Sequence, residues 1–130
     1  MNISASYQRV GLDYNKVKAV LVELGNEYCH KESKERWSSR NPTRGYCYKL
    51  AEVVSYHLKK QKIEHRVLQI KTAKSNHWFI KLADDTIVEL ISATGMKYDK
   101  GVGRAFFPVK SKTGMSFGSE VIAKKLGIIH

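Results

Sequence analysis

The sequence predicts an α+β fold, and three observations lead to it. Apolar residues recur at helical spacing after Asp13 and again after Cys47, three strand-like runs follow between residues 64 and 91, and a last helical segment closes the chain. The first helix is expected to start near Asp13. Tyr14, Val17, Val20, Leu21, Leu24 and Tyr28 fall on one stripe, and the helix should end between Cys29 and Lys34. Polar residues then lead through Trp37 to Asn41-Pro42-Thr43. Pro42 lacks an N–H and clashes with the preceding turn, so a new element must begin after it.

That element is a helix from Cys47 to Lys60. Leu50, Ala51, Val54 and Leu58 follow Cys47 at i+3, i+4, i+7 and i+11, which puts the thiol on the apolar stripe at its N-terminal edge. Thr43 or Gly45 would supply the cap or the sharp lead-in. Lys59, Lys60 and Lys62 complement the negative end of the helix dipole. The strands are expected at Glu64 to Lys71, Asn76 to Leu82 and Thr86 to Ile91, the last two joined as a tight hairpin around Asp84-Asp85. Ser92 to Gly118 is glycine-rich and irregular, a length that is usually functional or hides a short element. The closing helix has Ser119 as its expected cap, Glu120 in its first turn, Lys124 and Lys125 in its last, and Gly127 as its stop.

A chain of 130 residues is long enough for one core and is read as one domain: an N-terminal helical segment (1–40), a candidate catalytic core (41–91), and a loop with the closing helix (92–130). No apolar run approaches the roughly 20 residues that cross a bilayer. Nor does the N-terminus carry a basic region followed by an apolar stretch, so a cytoplasmic protein with Cys29 and Cys47 reduced is expected. The net charge of +11 is uneven. Residues 41 to 82 hold nine Lys/Arg against two acids, the segment that also carries Cys47 and His77. Such a field suits a solvated face, an acidic partner or nucleic acid, and it favours thiolate over thiol. The Cys and His residues show no CxxC or HxxxH spacing, and there is no GxGxxG or P-loop, so neither a metal nor a nucleotide cofactor is expected.

Chemistry enters with the order Cys47, His77, Glu89 on three consecutive elements. A helix start lowers a thiol pKa, an imidazole takes the proton, and a carboxylate fixes the imidazole tautomer. The hairpin supplies a parity test. Strand side chains alternate faces, so a three-residue loop, Ala83-Asp84-Asp85, makes Glu89 a diagonal neighbour of His77, whereas a two-residue loop puts them on opposite faces. An oxyanion would be met by the Cys47 N–H and one further donor, for which Trp37, Asn41 and Trp78 are candidates; Arg104, beside Phe106 and Phe107, is a weaker pocket candidate. Two alternatives compete: a non-catalytic basic module binding nucleic acid or an acidic protein, and a structural protein in which Cys47 only packs.

Gly45-x-Cys47 opening a helix, His77-Trp78 opening a strand and an acid one strand later resemble the transglutaminase-like branch of papain-fold enzymes. Asn41-Pro42-Thr43-x-Gly45-x-Cys47, the His-to-acid hairpin and Gly103-Arg104 resemble more closely the small bacterial YunG-like family, across roughly residues 41 to 126. The resemblance implies a Cys-bearing helix packed on a small antiparallel sheet. It also implies Cys47 as nucleophile, His77 as base and Glu89 as orienting acid, acting on a protein or peptide-like substrate. Tyr46 stands where that family tends to have glutamine, and Glu89 where aspartate is more usual.

The two cysteines should therefore differ in reactivity. Cys47 at a helix start is expected to react with iodoacetamide at pH 6 to 7 much faster than Cys29, which lies late in a helical stretch. Mass spectrometry of the folded protein checks this, and equal slow labelling of both would assign Cys47 to packing.

Overall fold

The computed structural model describes residues 3–71, 76–89 and 98–130. In chain order the elements are α1 (Ile3–Arg9), α2 (Tyr14–Leu24), α3 (Cys47–Lys60), β1 (His65–Lys71), β2 (Asn76–Leu82), β3 (Ile87–Val88), β4 (Val102–Gly103) and α4 (Phe117–Lys125). Single 3-10 turns stand at Lys31–Ser33 and Tyr98–Lys100. The antiparallel sheet runs β3-β2-β1-β4. None of the described helices is long and apolar enough to cross a membrane.

The helix after Pro42 has the bounds its spacing predicts, Cys47–Lys60, and buries Leu50, Ala51, Val53, Val54 and Leu58. These side chains meet Val67, Trp78, Ile80, Leu82 and Val88 on one face of the sheet. Leu68, Ile70 and Phe79 gather on the other face with Ile87 and Tyr98, the alternation a strand imposes. On the α3-covered side, α4 is held by a buried carboxylate. Glu52 accepts the Ser116 N–H at 3.3 Å, its hydroxyl at 2.6 Å and the Ser119 hydroxyl at 2.8 Å, supplying from another helix what an N-cap supplies locally.

The structure corrects several expectations. A helix, α1, precedes the one at Asp13; its seven residues are too short for an apolar period to register. Asp13 caps α2, accepting from the N–H groups of Asn15 and Lys16, but α2 stops at Leu24 because Gly25 takes φ +63°. Ser116, not Ser119, precedes α4; Ser119 is wholly buried inside the helix. Within the glycine-rich stretch, Val102 and Gly103 form β4 by pairing with Gln69 and Leu68. The expected third strand is paired at Ile87–Val88; Leu90 and Ile91, like 92–97 of the irregular stretch, lie outside the described residues.

The start of α3 is set by close contact rather than by a side-chain cap. Tyr46, at the N-cap, is fully buried and makes no cap bond; its hydroxyl donates to Gly25 O at 2.6 Å, tying the end of α2 to the start of α3. Thr43 does not serve as the cap; its hydroxyl meets Asn41 Oδ1 at 3.5 Å. Gly45 has φ +78°, and a Cβ there would lie 2.7 Å from Ser33 Cβ and 3.1 Å from Cys29 Cβ. Gly45→Ala should thus cost about 1–3 kcal/mol from backbone strain and the clash together. Urea unfolding measures the loss, and a change within error would mean that this turn relaxes freely.

Candidate active site

The hairpin between β2 and β3 decides where Glu89 goes. Ile80 pairs with Val88, Lys81 pairs with Ile87, and Leu82 N–H donates to Thr86 O at 2.9 Å, leaving Ala83-Asp84-Asp85 as a three-residue loop. Asp85 takes φ +71°, the left-handed residue such loops require, and Asp84 Oδ1 accepts the Thr86 N–H at 3.1 Å. Continuing this register sets Glu89 opposite Phe79 and diagonal to His77. The two side chains meet: His77 Nε2 donates to Glu89 Oε2 at 2.5 Å, with both residues buried.

Cys47 reaches this pair from the start of α3. Because Leu82 directs its backbone groups toward β3, so do Asn76 and Trp78 in the same strand. The Cys47 sulfur lies against these groups. In its thiol form it donates to Asn76 O at 3.8 Å, and the Trp78 N–H points back at it. His77 and Glu89 stand on the sheet face turned away from the body of α3, so thiol and imidazole meet on the β3 side of β2. With Nε2 committed to Glu89, Nδ1 is the ring nitrogen left for the thiol.

The electrostatics follow from these contacts. Burial pushes the Cys47 thiol up, but the His77 imidazole and the N–H groups of Trp78 and Tyr48 outweigh it, and the thiol pKa falls below its ordinary value. The Tyr48 N–H is one of the unpaired donors at a helix start. Burial lowers the His77 pKa, yet the Cys47 and Glu89 side chains together raise it to about 9. The arrangement thus favours thiolate beside imidazolium. Cys29 is the contrast: burial raises its pKa, with Lys34 and Lys49 only partly offsetting that, and its sulfur bonds Asn26 O at 3.4 Å.

Three further aromatics build the surroundings. Tyr98 donates its hydroxyl to Glu89 Oε1, the carboxylate oxygen that His77 leaves free. Phe79 stacks on His77 with centroids 5.9 Å apart and takes the edge of Tyr98 at 5.3 Å. Tyr7 of α1 is fully buried and lines a small cavity with Cys47, Leu50, Val88 and Glu89. Sequence reasoning missed Tyr7 and Tyr98, since neither belongs to a local pattern; Gly101, three residues after Tyr98, was the local signal that points to its turn.

The weaker candidates are placed differently. Trp37 commits its indole N–H to Pro42 O at 2.9 Å. Asn41 is exposed in the turn where it pairs with Ser38. The Trp78 ring packs away from His77, against Tyr48 at 4.8 Å and Phe106 at 5.7 Å, so its contribution at the sulfur is its backbone N–H. Arg104 is exposed and continues β4, its N–H bonding Val67 O, at the sheet edge opposite the thiol. The described residues contain no cluster of three or more His, Cys, Asp or Glu side chains arranged to hold a metal. No protein-family profile, curated protein or solved structure matches the chain.

The His77 ionisation can be checked directly. Its pKa is raised first of all by Cys47, so removing the thiolate should release the imidazole proton at lower pH. In Cys47→Ala the His77 midpoint, followed by NMR of the ring carbons, is expected to fall below about 9. A midpoint unchanged by the substitution would mean that thiol and imidazole do not interact.

Proposed function

We propose that this protein is a cysteine acyl-transfer enzyme with a papain- or transglutaminase-like core, an amidase or peptidase acting on an amide, isopeptide or thioester bond. One observation carries the reading: a thiol of lowered pKa at the start of a helix, beside an imidazole whose far nitrogen is held by a buried carboxylate. The resemblance to the YunG-like family and the transglutaminase-like enzymes supports the same reading. The basic charge of residues 41 to 82 favours an acidic substrate or partner surface in a cytoplasmic setting.

In this mechanism the Cys47 thiolate attacks the carbonyl carbon, forming a C–S bond and an oxyanion. The N–H of Cys47, unpaired at the helix start, is one oxyanion donor. Collapse of the intermediate breaks the bond to the leaving amine or thiol, which takes the His77 proton. The neutral imidazole then accepts a proton from water or an acceptor amine as it attacks the thioester, and the Cys47 thiolate departs. Glu89 holds the ring in the tautomer that presents Nδ1 to these steps.

The second reading, a basic binding module, rests on the same charge excess. It predicts binding to an acidic polymer that weakens steeply with salt and is indifferent to Cys47.

An activated aryl ester tests the enzyme reading. Incubation is expected to leave an acyl group on Cys47, seen by mass spectrometry, and Cys47→Ala should abolish it. Glu89→Gln preserves volume and removes the charge, so turnover should fall by a factor on the order of 10² with unfolding midpoints nearly unchanged. Full turnover in Glu89→Gln would sink the role given to the carboxylate, and the absence of any adduct would sink the reading.

A further inference from the structure

Glu89 has two oxygens, and the mechanism above uses one. Oε2 accepts from His77 Nε2, while Oε1 accepts from the Tyr98 hydroxyl. Tyr98 opens the 3-10 turn Tyr98–Lys100, whose placement is tightly specified. A Cβ on Gly101 would lie 2.7 Å from Phe79 Cζ and 3.2 Å from Tyr98 O, so only glycine lets this turn close onto the ring that stacks on His77. Pairing of Val102 with Gln69 then anchors the turn to β1. The tyrosine is thereby held by ring contact, by glycine packing and by a strand, with its hydroxyl aimed at a buried carboxylate.

We propose that Tyr98 is a positioning residue that holds Glu89 in line with His77 and, by drawing part of the carboxylate charge into its own hydrogen bond, sets how tightly His77 keeps its proton. A carboxylate with a free oxygen in a buried site is a stronger acceptor from the imidazolium, because nothing else stabilises its charge. Such an imidazole holds its proton too firmly to give it to a leaving group. With Tyr98 donating, the charge is shared. Among the described residues, the titratable groups that face the pair are Cys47 from α3, Tyr7 from α1 and Tyr98 from its turn. Burial and Glu89 together raise the hydroxyl pKa of Tyr98, so it remains a donor throughout the neutral range. Burial and Tyr14, then Glu89, raise that of Tyr7 likewise. Among the described groups facing the pair, that leaves Cys47, whose pKa lies below its ordinary value, to titrate with His77.

The catalytic meaning of this proposal rests on the cysteine-enzyme reading, but its test reads the Tyr98–Glu89 link itself. The His77 ring titration, assigned with His77→Gln, is followed by NMR in the full chain. In Tyr98→Phe the midpoint should rise by about half to one pH unit, a three- to tenfold tighter hold on the proton. In the Glu89→Gln background the same substitution should leave the midpoint unmoved, because the charge through which Tyr98 acts is gone. A midpoint that stays or falls in Tyr98→Phe overturns the proposal, as does an equal shift with Glu89→Gln. Should Tyr98→Phe unfold, 3-fluorotyrosine incorporated at position 98 keeps ring and donor while making the hydroxyl more acidic. The midpoint should then fall, and no movement overturns the proposal. If these shifts appear but Cys47 takes no acyl group from the aryl ester, the link stands and the enzyme reading fails.

Discussion

The contact between His77 and Glu89 is the point on which the rest of the site depends. Removing a carboxylate and an imidazolium from water costs several kcal/mol for each ion, and their mutual attraction offsets this only when every remaining lone pair and proton is met. Here the demands are met in sequence. Glu89 Oε2 takes His77, Glu89 Oε1 takes Tyr98, and the other side of the imidazole takes the Cys47 sulfur. The sulfur in turn receives two backbone N–H groups, from Trp78 and Tyr48. No buried side-chain nitrogen or oxygen among the described residues is left without a partner. A chain of this kind has few alternative arrangements, because each member satisfies the next.

Two backbone groups explain how a thiol enters this chain. Asn76 O and Trp78 N–H lie on the β3 side of β2, and a side chain from the first residue of α3 meets them. The helix is held there by its own apolar face on β1 and β2 and by the Tyr46 hydroxyl on the end of α2. The two N-terminal helices therefore do more than precede the core. α2 receives Tyr46, and α1 brings Tyr7 to the wall beside Cys47 and Glu89, with Arg9 pairing to Asp84 and Thr86 in and beside the hairpin loop.

Much of this was legible in the sequence where the causes are local. Pro42 and the i+3, i+4, i+7 and i+11 apolar positions mark α3 to the residue, because a proline barrier and a helical stripe act within a few residues of each other. The same-face relation of His77 and Glu89 was legible only as a condition. Strand alternation gives it for a three-residue loop and denies it for a two-residue one, and the pairing of Leu82 with Thr86 decides between them. What was not legible depends on distant partners. Val102 and Gly103 are exposed and form a strand only because Leu68 and Gln69 offer them a ladder. Ser119 looks like a cap by spacing, yet a carboxylate from α3 draws it inside the helix, and Ser116 takes the position before it. The sheet face carrying His77 was open for a similar reason. Alternation says that Trp78 and Phe79 diverge, but only the packed helix says which of them it covers.

The hairpin at Ala83-Asp84-Asp85 has a consequence for which changes this chain can accept there. Facing follows pairing, so what must be kept is the match of Leu82 with Thr86 and of Ile80 with Val88. A slip of that match by one residue would turn the returning strand over, bringing Val88 to the imidazole side and sending the carboxylate into the apolar layer beneath α3. Residues gained or lost within the loop leave the facing intact while the match holds, so the site constrains the register of this turn rather than its length.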